Sequence, residues 1–276
     1  EQAAAIMLKG MTTEYLVDRT AKAWLKKGDT ILFHAAAGGV GLLFGQWAKA
    51  RGYKVIGTTS SPEKAALAKK NGYKWVIDYT KQDIVTEVKK ITKNKGVPVV
   101  FDGVGKATWA ASLDCLQPRG LMVSFGNASG AVAPIPLGIL NTKGSLYVTR
   151  PSLFSYTSTR ADLEASARSL FKMVKSGKVK ISIDQHYPLA EAAQAHIDLE
   201  SRKTTGQTVW EAEESYGSWS TPVIVKVNGQ DQLILGQSKD VKGAPESKTG
   251  FLKGYDPKTG KELWRWATYN PEKIGH

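Results

Sequence analysis

The sequence predicts an α/β protein with a doubly wound parallel sheet in its first 150 residues and an all-β segment at its C-terminal end. Two observations predict this. Between residues 28 and 150, short apolar strand-like runs alternate with helix-like stretches, which indicates a parallel sheet covered on both faces. After residue 209 no long helical pattern occurs, and turn residues separate strand-like runs. We therefore place a boundary near residue 209.

Six strands and four helices can be assigned in order between residues 28 and 150. The strands are short apolar runs rich in β-branched residues. Pro62 stands in the first turn of one helix, and Asp83 is placed to cap the next, whose apolar residues form one stripe. The predicted strands are residues 30–34, 54–58, 75–78, 98–101, 121–125 and 145–148. The predicted helices are residues 40–50, 62–71, 83–93 and 107–116.

The pattern changes after residue 150, where an amphipathic helix is predicted over residues 160–175. Its predicted apolar face consists of Leu163, Ala167, Leu170, Phe171 and Val174. Next come a strand, a helix and the start of a strand, at residues 178–183, 189–201 and 208. The strands predicted in the all-β segment are residues 223–227, 232–236 and 251–255, with turns at residues 228–229 and 256–260.

Composition and charge narrow the function classes. The 276 residues are 42% apolar and 23% charged, which is typical of a folded soluble protein. No apolar run approaches the roughly 18 residues that a membrane span needs. The net charge of +13 lies in residues 1–209, since residues 210–276 carry nine basic and nine acidic residues. Because no compact Lys/Arg cluster contains aromatic residues, nucleic acid is a disfavoured partner.

Cysteine and histidine usage argues against a metal site. The single cysteine, Cys115, excludes an intramolecular disulfide and a multi-cysteine zinc site, and it is compatible with a reducing, cytoplasmic location. Cys115 lies on a helical apolar face, so we expect it in the core. Because residue 1 is Glu rather than Met, we expect a processed or truncated start. The histidines, which lack metal-ligand spacing, are His34, His186, His196 and His276.

A glycine-rich loop is the strongest functional motif. The segment Ala-Ala-Ala-Gly38-Gly39-Val40-Gly41 lies between a predicted strand and a predicted helix. A pyrophosphate needs backbone N–H groups at the positive end of a helix, and close approach requires residues without a Cβ. Gly38 and Gly41 meet that requirement, and Gly41 also lets the helix lie close to the strand. In this context the motif predicts dinucleotide binding, and a tight turn without a ligand is the alternative.

The end of the second strand predicts the kind of dinucleotide. NAD sites place an acidic residue about 20 positions downstream, where it bonds the ribose hydroxyls. Here the sequence is Thr58-Thr59-Ser60-Ser61, with Lys64 four residues after Ser60. Hydroxyls do not repel a 2′-phosphate and a lysine neutralises it, so NADP(H) is favoured. Glu63 is expected to point elsewhere, and a solvated helix residue is the alternative for Lys64.

Two further strand ends are candidate ligand contacts. The segments Asp102-Gly103-Val104-Gly105 and Ser124-Phe125-Gly126-Asn127 follow the fourth and fifth strands. Ligands of open α/β sheets lie at the carboxyl ends of the strands, whereas ordinary turns are the alternative. Tyr15 and Tyr79 are either core residues or ligand contacts. The carboxylates expected on helix surfaces are Glu14, Asp18 and Asp162.

Long segments of the chain match a known family, among them residues 34–41 (HAAAGGVG), 119–127 (RGLMVSFGN) and 146–153 (LYVTRPSL). With these segments, residues 3–209 resemble the zinc-free, ζ-crystallin-like quinone oxidoreductases of the medium-chain dehydrogenase/reductase superfamily. The resemblance implies a Rossmann fold, metal-free hydride transfer from NADPH to a quinone or an activated enone, and a homodimer. The cofactor contacts that it implies are Tyr15, Gly38, Gly39, Val40, Gly41, Ser60, Lys64, Tyr79, Val104, Phe125, Gly126, Asn127, Leu153 and Arg202.

The resemblance also implies an incomplete catalytic domain. Family members begin with a GroES-like catalytic domain, and residues 154–209 match only the C-terminal segment that returns to complete it. We therefore expect a truncated form, with a Rossmann NADPH-binding domain at residues 1–153. Cofactor binding is expected of this form, whereas efficient turnover depends on a closed, positioned site for hydride transfer.

The C-terminal segment carries a second set of motifs, at residues 219–222 (WSTP), 232–235 (QLIL) and 254–264 (GYDPKTGKELW). These motifs resemble the repeats of PQQ-type β-propellers. Only about one and a half blades are present over residues 210–276, whereas closure takes four or more. The chain therefore combines two family fragments joined near residue 209, by a gene fusion or by an assembly artefact.

Three functions follow from these observations. An NADPH-dependent quinone oxidoreductase is favoured by the glycine loop, Lys64 and residues 125–127 together. The alternative is a non-catalytic NADPH-binding or interaction module that uses the propeller-like segment as a docking surface. A quinoprotein dehydrogenase, indicated by the C-terminal segment alone, would require PQQ-dependent activity. Binding of NADPH without turnover of a quinone favours the module.

Overall fold

The computed structural model describes residues 2–183, 186–188, 191–200, 209–211, 223–227, 230–238, 250–255 and 262–267. The chain divides into two compact units, of which the first comprises residues 2–182 and the second the described residues from 183 onwards. Over the ranges just given, no helix is both long and apolar enough to span a membrane.

A parallel sheet forms the centre of the first unit. Its strands are β1 (Thr30–Phe33), β2 (Lys54–Thr59), β3 (Trp75–Asp78), β4 (Val97–Asp102), β5 (Leu116–Ser124) and β6 (Tyr147–Thr149). The strand order is β3-β2-β1-β4-β5-β6, and all neighbouring strands run parallel. This order is that of a Rossmann fold, so the predicted doubly wound sheet is confirmed.

Helices connect the strands, and local sequence explains where several of them begin. Ser61 accepts a hydrogen bond from the amide of Lys64 at the start of α3, and Asp83 accepts one from the amide of Thr86 at the start of α4. The helices are α1 (Gln2–Glu14), α2 (Gly39–Ala50), α3 (Pro62–Lys70), α4 (Ile84–Thr92), α5 (Trp109–Asp114), α6 (Gly138–Thr142), α7 (Leu153–Tyr156) and α8 (Arg160–Lys175). A π-helical turn at Tyr15–Thr20 and a 3₁₀ turn at Lys22–Trp24 follow α1.

Both faces of the sheet are buried. On one face, Phe33 and Phe101 pack against Phe44 of α2, with ring centroids 4.3 Å and 4.7 Å apart. Leu32 and Val100, which precede them along the strands, belong to the core of the opposite face. Because alternate residues of one strand serve two cores, these strands are apolar throughout rather than alternating.

The packing of α8 differs from the prediction. Phe171 is 43% exposed, and the buried residues of this helix are Ser166, Leu170 and Met173. The reason lies in α1, where a Cβ built on Gly10 would come within 2.6 Å of Leu170 Cδ1. Gly10 therefore gives Leu170 room to approach α1, and this contact turns Phe171 outwards.

Three other expectations are corrected. Residues 178–183 are irregular, because no strand in the described ranges pairs with them. Glu14 is 4% exposed rather than on the surface, since it accepts hydrogen bonds from Arg19 and from Ser166 of α8. Asp18 accepts hydrogen bonds from Trp47 of α2 and from Arg51, which follows that helix, so it fastens the end of α2 rather than facing solvent alone.

The second unit contains two small sheets. Its elements are β7 (His186–Pro188), α9 (Ala192–Glu200), β8 (Val209–Glu211), β9 (Val223–Val227), β10 (Gln230–Ser238), β11 (Gly250–Tyr255) and β12 (Glu262–Ala267). Strands β7 and β8 pair in parallel, and β9 to β12 form an antiparallel sheet in consecutive order. The strands predicted at residues 223–227, 232–236 and 251–255 are confirmed by β9, β10 and β11, and β12 is an additional strand. The predicted turns at 228–229 and 256–260 lie outside the described residues.

Candidate functional site

The glycine loop lies at the carboxyl edge of the sheet, where β1 has β2 on one side and β4 on the other. The strand order reverses at this point, which is where open α/β sheets bind ligands. The Gly38 amide donates to the Ala35 carbonyl at 2.9 Å and closes the turn. Helix α2 then begins at Gly39 without a side-chain cap, so the amides of its first turn face the loop as donors for an anion.

Gly41 is required by close packing. A Cβ at this position would lie 2.6 Å from the carbonyl oxygens of both Ala35 and Ala36. The Tyr73 hydroxyl, which is buried, donates to the Gly41 carbonyl at 2.8 Å and fastens α2 to the connection between α3 and β3. Ala35 itself has a φ of 58°, a left-handed conformation that costs a non-glycine residue about 1 kcal/mol or more. The loop is therefore held in place by its surroundings.

The end of β2 brings Ser60 and Lys64 together. The Lys64 ammonium donates to Ser60 Oγ at 3.3 Å, and both side chains are accessible to solvent. Tyr79, which follows β3, is 49% exposed at the same edge, where its amide donates to the Thr59 carbonyl at 3.1 Å. A serine hydroxyl and an ammonium beside an exposed aromatic ring form a surface that suits a phosphate and a ribose.

The two carboxylates nearest to Lys64 in sequence, Glu63 and Asp78, interact with other neighbours. The hydroxyl of Ser61 holds the pKa of Glu63 below its ordinary value, and hydrogen bonds from Thr80 hold the pKa of Asp78 below its ordinary value. Each carboxylate is thus engaged by a neighbouring hydroxyl. The expectation that Glu63 points elsewhere agrees with this pairing.

The loops after β4 and β5 interlock. A Cβ on Gly126 would lie 2.9 Å from Gly103 Cα, and a Cβ on Gly103 would lie 2.9 Å from the Phe125 ring. Val104 donates its amide to the Asp102 carboxylate at 2.8 Å, and Asn127 follows Gly126 in an exposed position. The two glycines therefore allow the loops to form one continuous surface beside the glycine loop of β1.

A buried network of polar side chains joins the ends of β1, β2 and β4. Ser112 Oγ donates to Asp102 Oδ2 at 2.7 Å, so it accepts from His34 Nε2, which lies 3.0 Å away. His34 Nδ1 must then accept from the Thr58 hydroxyl at 3.1 Å. Thr108 also donates to Asp102 Oδ2, at 2.7 Å, and His34, Ser112 and Asp102 are all 0% exposed. The network connects β2, β1 and β4 by hydrogen bonds that each have a defined direction.

Burial determines the titration of the groups in this region. It lowers the pKa of His34, and the nearby Asp102 charge only partly offsets that effect. His34 is thus neutral at pH 7, in the tautomer that the network requires. Burial also raises the pKa of the Cys115 thiol to about 12, and the side chain is 0% exposed, which confirms its expected place in the core.

The crevice along the carboxyl edge of the sheet has its far end near β6. Residues that precede and follow β6 in the sequence form this end. Arg150 donates to Ser124 Oγ at 3.1 Å and to the Gly126 carbonyl at 3.0 Å. Tyr15 is 3% exposed and stacks on Tyr156 with ring centroids 4.7 Å apart. Burial and the neighbouring Tyr156 raise the pKa of Tyr15 to about 12, partly offset by Arg150. Leu153 is half-buried and packs on the same core.

Comparison with known proteins agrees with this geometry. A family model described as "Zinc-binding dehydrogenase" matches residues 39–171. The quinone oxidoreductase of Pseudomonas aeruginosa is 57% identical over 209 residues, which are 76% of this chain and 64% of that protein. This chain spans about 64% of the length of the P. aeruginosa relative.

Two further proteins are similar to this chain in sequence or structure. The crystal structure of Escherichia coli quinone oxidoreductase complexed with NADPH has a TM-score of 0.74 and 53% identity, and the match covers 77% of this chain and 65% of that one. A 2-haloacrylate reductase of Burkholderia sp. is 45% identical over 207 residues, which are 75% of this chain and 62% of that protein.

The description of the matching family model refers to zinc. Over the ranges that the structure describes, no three or more His, Cys, Asp or Glu side chains form a group that could hold a metal ion. The side chains of His186 and His276 are not among those described.

Most of the predicted cofactor contacts lie at the same sheet edge. Residues 38–41, 60, 64, 79, 104 and 125–127 all follow the ends of β1 to β5. Tyr15 and Leu153 lie near residue 150 instead, and Arg202 lies outside the described residues. Sequence reasoning missed His34 and Arg150, whose partners are distant in sequence, and it missed Lys9. A Cβ on Gly39 would lie 2.8 Å from Lys9 Cδ.

Proposed function

We propose that this chain is an NADPH-dependent quinone oxidoreductase, in a truncated form, that transfers hydride from NADPH to a quinone or an activated enone. The observation that carries this proposal is the Lys64–Ser60 pair at the end of β2, beside an uncapped glycine loop. An NADH site would have a carboxylate at that strand end. The relatives named quinone oxidoreductases, one of them complexed with NADPH, support the same proposal.

The residues present fit the proposed cofactor. The first turn of α2 offers amides to the pyrophosphate, and the glycines leave the space that side chains would fill. Ser60 and Lys64 bind the 2′-phosphate, and Tyr79 packs by the adenosine. When bound, NADPH supplies the hydride. Val104 lies by the adenine-side ribose.

The nicotinamide half is assigned to the far end of the crevice. Phe125, Gly126 and Asn127 line it, and Arg150 holds their backbone through the Gly126 carbonyl. Tyr15, Leu153 and Arg202 complete the proposed contacts. Because Phe125 packs on the core ring of Phe33 at 5.7 Å, this wall is rigid and can orient a ring for hydride transfer.

The proposed acceptor is a conjugated carbonyl compound. Quinones have this chemistry, and the named substrate of the Burkholderia relative, a 2-haloacrylate, also has a double bond conjugated to a carboxyl carbon. No metal is required to polarise such an acceptor. Hydride delivery to its electron-poor carbon needs orientation by the surrounding residues.

The division of the chain is part of the proposal. Residues 1–153 form the Rossmann NADPH-binding domain, residues 154–209 are the C-terminal segment of a GroES-like catalytic domain, and residues 210–276 derive from PQQ-type propeller repeats. The consecutive antiparallel strands β9 to β12 support the last assignment, since a propeller blade is a four-stranded sheet. A cytoplasmic homodimer is proposed from the resemblance alone.

Fluorescence titrations with NADPH and NADH test the cofactor. We expect saturable binding with NADPH favoured, and we expect Lys64→Met to remove that preference while NADH binding stays unchanged. Lys22→Met is the matched control, because it removes the same charge from an exposed residue outside the site. Equal affinity of the parent for the two dinucleotides would contradict the assignment of Lys64.

Turnover separates the enzyme from the non-catalytic alternative. NADPH oxidation with 1,4-benzoquinone, followed by absorbance, is expected for the enzyme. Binding of NADPH without oxidation would favour an NADPH-binding module with a docking segment. A chain ending at residue 209 should bind NADPH as the full chain does, because every described contact of the site lies before residue 183.

A further inference from the structure

Lys9 of α1 reaches over the start of α2. A Cβ built on Gly39 would lie 2.8 Å from Lys9 Cδ and Cε and 3.0 Å from Nζ. The aliphatic part of the lysine therefore covers the glycine, and the ammonium lies beside the first turn of α2. Residue 39 must lack a side chain for this arrangement, which gives Gly39 a role separate from that of Gly41.

The Lys9 ammonium has no counter-charge in the residues that the structure describes. It makes no hydrogen bond or ion pair there, and it is half-buried. Burial lowers its pKa, and no neighbouring carboxylate offsets the effect. A half-buried cation beside the positive end of a helix is unfavourable by itself. An anion between the Lys9 ammonium and the start of α2 would pair with the buried charge and would screen it from the positive end of the helix.

Resting on the proposed function, we propose that the Lys9 ammonium binds the pyrophosphate of the dinucleotide together with the uncapped amides of α2. The uncapped helix start and the unpaired cation are separate observations that favour the same ligand group. Lys9 supplies affinity that NADPH and NADH share, since both contain a pyrophosphate. Lys64 supplies the discrimination between them.

This division of roles has a distinct signature in binding. Lys9→Met keeps most of the aliphatic contact with Gly39 and removes the charge. We expect it to weaken both NADPH and NADH roughly tenfold or more, from the loss of one charged hydrogen bond. Adenosine 2′-monophosphate, which has no pyrophosphate, should bind unchanged. Lys64→Met should weaken the binding of NADPH and of adenosine 2′-monophosphate but leave the binding of NADH unchanged.

Two further measurements distinguish a ligand contact from a structural role. Lys9→Arg should retain most of the dinucleotide affinity, because it keeps a cation at the same place. The melting temperature of Lys9→Met should equal or exceed that of the parent, since an unpaired half-buried charge has been removed. Weaker binding together with a lower melting temperature would overturn the proposal.

The control and the contrary outcomes are specific. Lys22→Met removes an equal charge from an exposed position and should bind both dinucleotides like the parent. If Lys9→Met binds as tightly as Lys22→Met while the parent still prefers NADPH, the role of Lys9 is wrong and the proposed function stands. If the folded parent binds neither dinucleotide, the proposed function and the role of Lys9 both fail.

Discussion

The candidate site has a buried centre and an exposed rim, and the two are held in different ways. At the centre, both ring nitrogens of His34 and both carboxylate oxygens of Asp102 are hydrogen-bonded, and both residues are 0% exposed. At the rim, a single hydrogen bond of 3.3 Å joins Lys64 to Ser60 in solvent. The centre is part of the folded core, whereas the rim supplies polar groups for a ligand and contributes little to the core. Substitutions should therefore cost stability at the centre and ligand preference at the rim.

The largest effect on stability is expected at Asp102. Asp102→Ala leaves the buried hydroxyl of Ser112 and the amides of Val104 and Gly105 without their acceptor, and it removes one of the two acceptors of the half-buried Thr108 hydroxyl. We expect the free energy of unfolding to fall by about 3 kcal/mol or more. Urea denaturation measures it, with Asp83→Ala, an exposed helix cap, as a reference that should lose about 1 kcal/mol. A loss at Asp102 no larger than this reference would contradict the contrast.

The next effect is steric and lies in the glycine loop. In Gly41→Ala the new Cβ must displace the carbonyls of Ala35 and Ala36, which are backbone atoms and cannot rotate away. We expect a loss of about 1–3 kcal/mol in unfolding free energy. Gly138→Ala is the matched control, because nothing lies within 4 Å of its Cβ position at the start of α6. The control should be neutral or stabilising by about 0.5–1 kcal/mol.

A pH dependence should come from the centre and not from the rim. The pKa of His34 is lowered by burial, so between that lowered pKa and about 6.5 the unfolded chain binds a proton that the folded protein does not. Stability should therefore fall as the pH drops below about 6.5, and become flat again below the lowered pKa. His34→Gln should show a smaller loss over the same range in thermal melts. Parallel curves for parent and variant would exclude His34 as the source.

The smallest effect is expected at the rim. Lys64→Met and Ser60→Ala break only their exposed hydrogen bond, so each should change the free energy of unfolding by less than about 0.5 kcal/mol. Urea denaturation of both variants, run with the cofactor titrations, tests whether stability and ligand preference separate. A loss above about 1 kcal/mol in either variant would show that the rim also supports the fold.

The sequence predicts this site to the extent that local chemistry determines it. Strand ends, glycines and the Ser60–Lys64 spacing are properties of neighbouring residues, so the strands and the loops that follow them could be predicted. His34 could not, because its partner Ser112 is 78 positions away in the chain and a lone histidine has no ligand spacing.

The same limit explains the other misses. The helical period of α8 predicts a buried Phe171. The rotation of α8 is instead set by the close approach of its Leu170 to Gly10 of α1. Lys9 and Arg150 act across helices and loops that are apart in sequence. Side-chain contacts between elements that are distant in sequence cannot be predicted from the hydrophobic periodicity of each element.

The strand order has a consequence for how the chain folds. β1, which carries the glycine loop, finds its first neighbour β2 soon after it is made, but its other neighbour β4 begins only at Val97. Until then β1, a strand of mostly apolar side chains, presents an edge of unpaired backbone N–H and C=O groups. Parallel pairing over such a separation is slow, because a long loop must close before the contacts form. The region that would hold a cofactor in the folded protein is thus the region most exposed to wrong pairing during synthesis.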